Sequence, residues 1–130
     1  MPNRRLGFDD VRELTRELPG VEESSALRGP SLKVRGNLLA CPAIHKSAEP
    51  DSLVVKIGLD RRDELIAADP DVYYVTDHYV NYPTVLVRMP RIHRDALRGL
   101  LVMAWQFASQ EGKAKKARVG KRRTSRRAQR

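Results

Sequence analysis

A chain of 130 residues with 41% apolar side chains, a net charge of +9 and one cysteine, Cys41, holds one domain with room for an appendage. A body of about 100 residues buries a real core without disulfides or metals, and a lone cysteine forms no internal bridge. The N-terminal MPNRRLGFDD has no apolar run behind it, and the strongest apolar block, LLVMAWQFA at 100–108, is about half the length needed to span a bilayer; a secretory signal and a membrane span are excluded, and a cytoplasmic protein is expected.

In chain order, a first helix is expected from about Asp9 to Leu18. Val11, Leu14 and Leu18 share one face, Asp10 and Glu13 have capping-box spacing, and Pro19-Gly20 ends it. SLKVRG at 31–36 alternates, with Leu32 and Val34 on one side and Lys33 and Arg35 on the other. Gly36-Asn37 reads as a turn into the apolar LLAC at 38–41. SLVVKIG at 52–58 sets Leu53, Val55 and Ile57 against Val54 and Lys56. LDRRDELIAADP at 59–70 is a short helix with Asp60 as N-cap. VYYVT at 72–76 and PTVLVRM at 83–89 are strands, the latter with Val85 and Val87 inward and Leu86 and Arg88 outward. A last helix runs from about His93 to Ser109, with a stripe of Leu97, Leu100, Leu101, Ala104, Trp105 and Ala108. The order is helix, three strands, short helix, two strands, long helix. Short connections imply an antiparallel sheet, and the terminal helices cover one face of it: an α+β two-layer sandwich.

The charge is not spread over this body. Of 25 Lys/Arg and 16 Asp/Glu, residues 111–130 hold ten and one, which leaves fifteen of each in residues 1–110. The basic residues of that segment are Lys113, Lys115, Lys116, Arg118, Lys121, Arg122, Arg123, Arg126, Arg127 and Arg130. With one valine and three alanines as its apolar content, it cannot offset its own ordering entropy. We read 1–110 as a single domain and 111–130 as a disordered basic tail, suited to polyanions without sequence preference.

Little in the body points to catalysis. Asp77 and His78 are adjacent, and neighbours in an extended segment face opposite ways, so adjacency makes no dyad. No Ser or Cys is tied to His78 by a recognisable motif. Cys41, His45, His78 and His93 are the only nitrogen or sulfur ligands and have no paired metal spacing. The acids of helix 1 (Asp9, Asp10, Glu13, Glu17) are interleaved with Arg12 and Arg16, as on a self-paired solvated face. No Gly-rich phosphate loop occurs. Neither a metal nor a cofactor is expected. Strand parity instead places Lys33, Arg35, Lys56 and Arg88 on the sheet face away from the helices. Lys46 and Tyr73, Tyr74, Tyr79 and Tyr82 fall near it, a mixture that suits phosphate contact and base stacking as well as an ordinary solvated face. Val54 and Leu86 on the same face also allow a partner surface.

LPGVEES after helix 1, YYVTDHYVNYPTVLVRM in the second half and Ala104-Trp105 in the last helix resemble the MmcQ/YjbR family over roughly residues 6–108. The positions that match its most specific run are Thr76, Asp77, His78, Tyr79, Tyr82, Pro83 and Arg88. The resemblance implies a frataxin/CyaY-like sandwich and DNA binding with β-hairpins as wings. It brings no catalytic residues, and iron chemistry is not inherited on fold alone. The tail lies outside the matched region. The expected function is DNA binding by the tail and the basic sheet face, in a protein without a membrane partner and with a monomer favoured. The alternative is a small-molecule or protein-binding module with a pocket at residues 74–82, lined by Tyr74, His78, Tyr79 and Tyr82.

Overall fold

The computed structural model describes residues 6–26 and 29–110; the basic segment 111–130 lies outside them. In chain order the elements are α1 (Phe8–Thr15), β1 (Val21–Ala26), β2 (Gly29–Val34), β3 (Asn37–Pro42), β4 (Ser52–Lys56), α2 (Leu59–Ala68), β5 (Tyr73–Tyr74), β6 (Thr84–Arg88) and α3, residues 94–110. The strands form one antiparallel sheet in the order β1-β2-β3-β4-β6-β5. This is the α+β class read from the pattern.

One strand was not expected. VEESSA has little β propensity, yet it pairs with β2 along its whole length, from Val21 opposite Val34 to Ala26 opposite Gly29. It is an edge strand held by backbone bonds rather than by side-chain preference.

The first helix ends at Thr15 rather than Leu18, and the strand expected at 72–76 is only Tyr73–Tyr74; three further boundaries differ, each for a local reason. The β2–β3 turn is Arg35-Gly36, both at positive φ (51° and 82°), as a two-residue hairpin of right twist requires. Asn37 opens β3 instead, and its buried side-chain amide donates to the Ala108 carbonyl of α3 at 3.5 Å. The N-cap of α1 is Gly7, whose N–H donates to Asp10 Oδ2 at 2.8 Å, so Asp10 acts from inside the first turn rather than as the cap. The N-cap of α2 is Gly58 rather than Asp60. Gly58 has φ +94°, which favours glycine, and a Cβ there would stand 3.0 Å from the Phe107 ring, which would have to shift.

The core lies between the sheet and the helices. Leu32, Val34, Leu53, Val55, Ile57, Val85 and Val87 meet Val11 of α1 and Leu97, Leu100, Leu101, Ala104 and Ala108 of α3 in one buried cluster, the inward set that strand and helix periodicity assign. Polar contacts then clasp α1 to α3. Arg94 donates to Asp10 at 3.0 Å and to Glu13 at 2.8 Å, Arg98 to Glu17 at 3.0 Å, and Trp105 Nε1 to the Pro19 carbonyl at 2.7 Å. The acidic ridge of α1 is therefore paired, largely by arginines of α3 rather than by its own; Arg12 joins Asp9 and a two-pronged bond to Glu23 of β1.

These contacts are unequal. Asp10 is 3% exposed, accepts the Gly7 N–H from inside the first turn of α1 and receives Arg94, so Asp10→Asn is expected to cost about 1–2 kcal/mol in urea unfolding. Arg98 and Glu17 are largely exposed, and Arg98→Ala is expected to stay within about 0.5 kcal/mol.

Candidate functional site

β4 and β6 are buried on both faces. Val54 and Leu86 point away from the helices, yet they are 5% and 0% exposed. The chain covers them itself with two segments, residues 43–51 and 75–83, so they form no open partner surface. Arg88 ties the first segment down. Its Nε and Nη2 donate to the Glu49 carboxylate (2.7–3.0 Å), its Nη1 donates to the carbonyls of Pro70 (2.9 Å) and Asp71 (3.2 Å), and its guanidinium lies 4.1 Å over the Tyr74 ring. The Tyr74 hydroxyl bonds Ser52 Oγ and accepts the Glu49 N–H at 2.8 Å. The Glu49 carboxyl is held below the usual carboxylate range, chiefly by its bonds to Arg88.

The second segment is held from the other side. Arg62 of α2 is buried and donates through Nη1 to the carbonyls of Val80 (2.8 Å) and Tyr82 (3.2 Å). A hydroxyl pair, Ser47 Oγ with Thr76 Oγ1 at 2.8 Å, joins the two segments. Above it the imidazoles of His45 and His78 stack face to face, 3.5 Å between centroids and 6° from parallel, and Tyr79 meets the His78 ring edge-on at 4.8 Å. The Ser47 N–H donates to His45 Nδ1 at 3.0 Å, and Ser47 Oγ lies 2.7 Å from the same nitrogen; the amide bond favours the neutral ring with Nδ1 as acceptor. Desolvation against its neighbours, then the charges of His78 and Lys46, lower the His45 pKa below its ordinary value. Burial pushes the Tyr79 phenol up, partly offset by a hydrogen bond from the His45 backbone.

Between this aromatic wall and the sheet lies a cleft of about 1070 Å³. Leu38, Cys41, Val54, Lys56 and Thr84 form its floor, His45, His78, Tyr79 and Tyr82 its wall, and Ile44 and Lys46 lie on its rim. Among the described residues no carboxylate lines the cleft. Lys46 is exposed. Burial raises the Cys41 thiol above its usual value, which keeps it protonated and unreactive. The residues present together bring ring faces, two lysines and an apolar floor to one cleft, a set whose chemistry suits a planar anionic ligand.

The sequence-derived site residues divide accordingly. Lys46, Lys56, His78, Tyr79, Tyr82 and Pro83 meet at the cleft. Lys33 is on the same sheet face, opposite Leu38, outside the lining. Arg35 is in the hairpin turn, because the left-handed turn takes it out of strand parity. Arg88 faces outward, but its donors are engaged within the chain. Tyr74 stands behind the cleft as a hydrogen-bonding post and Thr76 as a joint between the segments. Tyr73 is buried in the core. Asp77 is exposed and outside the cleft lining, and it does not orient His78. The tail residues from Lys113 to Arg130 lie outside the described residues. Sequence reasoning missed His45, Leu38 and Thr84 as cleft residues. The uninterrupted apolar runs Leu53–Val55 and Val85–Val87 carried the signal, since strands buried on both faces lose their alternation. Among the described residues no three His, Cys, Asp or Glu side chains gather to hold a metal ion, and no helix is long and apolar enough to cross a membrane.

No family model matches the chain. Uncharacterized proteins of Mycobacterium tuberculosis and Mycobacterium bovis are 46% identical to it over 41 residues, 32% of this chain and 32% of each relative; the match spans about a third of those relatives' length. Among solved structures, protein DR2400 of Deinococcus radiodurans, with a DUF419 domain, superposes with a TM-score of 0.66 at 23% identity, over 92% of this chain and 91% of that one. The likeness shows a shared fold.

Two outcomes test the geometry. Arg88→Ala removes the partner of two carbonyls and of the half-exposed Glu49 carboxylate and is expected to destabilise the protein by about 1–2 kcal/mol, read by chemical denaturation. His45 should titrate below 6.5 in NMR. Because its neutral form is the one the fold favours, acidification through that range weakens the Ser47 contact, and His78→Ala should move the midpoint up toward the ordinary value.

Proposed function

We propose that this chain is a DNA-binding protein of the MmcQ/YjbR type, in which the cleft between the 43–51 and 75–83 segments is the specific contact and the basic tail a non-specific one. The observation that carries this reading is the gathering of Lys46 and Lys56 with the rings of His45, His78, Tyr79 and Tyr82 around one cleft. Phosphates are met by the ammonium groups and bases by the ring faces. The fold shared with a DUF419-domain protein and the TDHY…YP run at 76–83 support the family assignment. The ten Lys/Arg at 111–130 against a neutral body support salt-sensitive attachment, with the binding-competent unit in the body and the affinity reserve in the tail.

A second reading, a small-molecule module, is favoured by one feature: the site is concave rather than an open basic face. Its ligand would be a small planar anion in the same cleft, and a mononucleotide that binds as tightly as an oligonucleotide would identify it.

The test is salt-dependent DNA binding by the full chain with the ten tail Lys/Arg changed to Gln. Binding should persist. Lys46→Glu with Lys56→Glu should lower affinity at least tenfold and reduce the log–log salt slope by roughly 0.7–0.9 for each phosphate that is no longer neutralised. Binding that disappears with the tail charge alone would remove the body from the interface.

A further inference from the structure

Thr84 opens β6 directly opposite Lys56 of β4. Parity puts both on the face away from the helices, and both line the cleft floor. Thr84 is 5% exposed, and its Oγ1 is buried without a hydrogen-bond partner among the described residues. Buried hydroxyls are almost always paired, and one left unpaired calls for an explanation. Valine would fill the same volume in a β-branched strand with no polar atom to satisfy. Ser52 and Thr15, the other buried hydroxyl residues, are bonded to Tyr74 and to helix carbonyls. The orphan is therefore specific to the cleft floor.

The cleft also has a shape. About 1070 Å³ is just above the range for small-ligand sites, roughly 300–1,000 Å³, and its rings stand as a wall beside the sheet residues of its floor. Duplex DNA is convex and keeps its bases stacked inside. Only a base that has left the stack presents a face to Tyr79 or Tyr82 and an edge to the floor.

We infer that the cleft receives a short single-stranded stretch, with one unstacked base reaching the floor to take the Thr84 hydroxyl as its hydrogen-bond partner and with the adjoining phosphate on Lys56. Thr84 lines the cleft while its Oγ1 is buried, so the binding step includes a rotation about Cα–Cβ that turns the hydroxyl to the base edge, which then completes the bond that the protein leaves open. The inference rests on the DNA-binding reading of the same cleft and adds strand state and the residue that reads the base.

The experiment uses the full chain with the tail Lys/Arg changed to Gln, titrated with a mixed-sequence single-stranded oligonucleotide, its duplex, and the four mononucleotides. The single strand should bind at least tenfold tighter than the duplex. Thr84→Val should lower single-strand affinity about tenfold and leave duplex affinity unchanged, and Thr84→Ser should retain the wild-type value. Equal or tighter duplex binding, or Thr84→Val indistinguishable from wild type, overturns the inference while leaving DNA binding in place. Mononucleotides as tight as the oligonucleotide overturn it in favour of a small ligand. Loss of all binding with the tail charge removes the DNA-binding reading as well.

Discussion

Arg88 is the residue on which the outer half of the molecule depends. A guanidinium has five N–H donors in a rigid plane, and here they reach a carboxylate on one segment and two backbone carbonyls on another, while its face rests on an aromatic ring. Lysine offers neither the fork nor the plane. Through Glu49 the residue fixes the 43–51 segment, through Pro70 and Asp71 the chain leaving α2, and through Tyr74 the post that receives Ser52. An arginine read from parity as a surface cation is thus a structural hub, and the cleft takes its shape from where that hub holds the chain.

A six-stranded sheet has two faces, and the helices cover one. The other carries Val54 and Leu86 at its centre, which would cost stability if left in water. Two long connections fold over them instead, joined at the Ser47–Thr76 bond and at the cluster of His45, His78 and Tyr79, and a recess remains beside them. The recess is a by-product of covering a sheet with loops rather than with a helix. Loops place backbone amides, rings and lysines where a helix would place an apolar stripe, so a surface whose first task is to exclude water also acquires binding chemistry.

Much of this was legible from the residues. The inward sets on β2, β4, β6 and α3 follow from periods of two and 3.6, and their agreement with the buried cluster reflects how strictly one buried face imposes register. β1 was illegible because Glu22, Glu23, Ser24 and Ser25 carry no strand preference; its partner supplies the order. The Arg35-Gly36 turn was displaced by one residue because arginine gives no hint that it will adopt a left-handed conformation. In the site, the 76–83 run was visible as a cluster of rings and a proline, but its partner His45 is 33 residues away, and a stack across that distance is set by the sheet and not by local pattern. Thr84 was invisible for a different reason: an unsatisfied hydroxyl is a property of surroundings, not of sequence.

The clasp between α1 and α3 has a consequence for synthesis. Its partners are 81 to 86 positions apart, and the four leading strands, already consecutive in space, can assemble as a meander long before α3 is made. Until then only α1 can cover the inner faces of Leu32, Val34, Leu53 and Val55, and most of their apolar area has no lid. A chain emerging at about 5–20 residues per second therefore carries a largely bare apolar sheet for several seconds, a window in which chaperone capture competes with self-association and which the arrival of α3 closes.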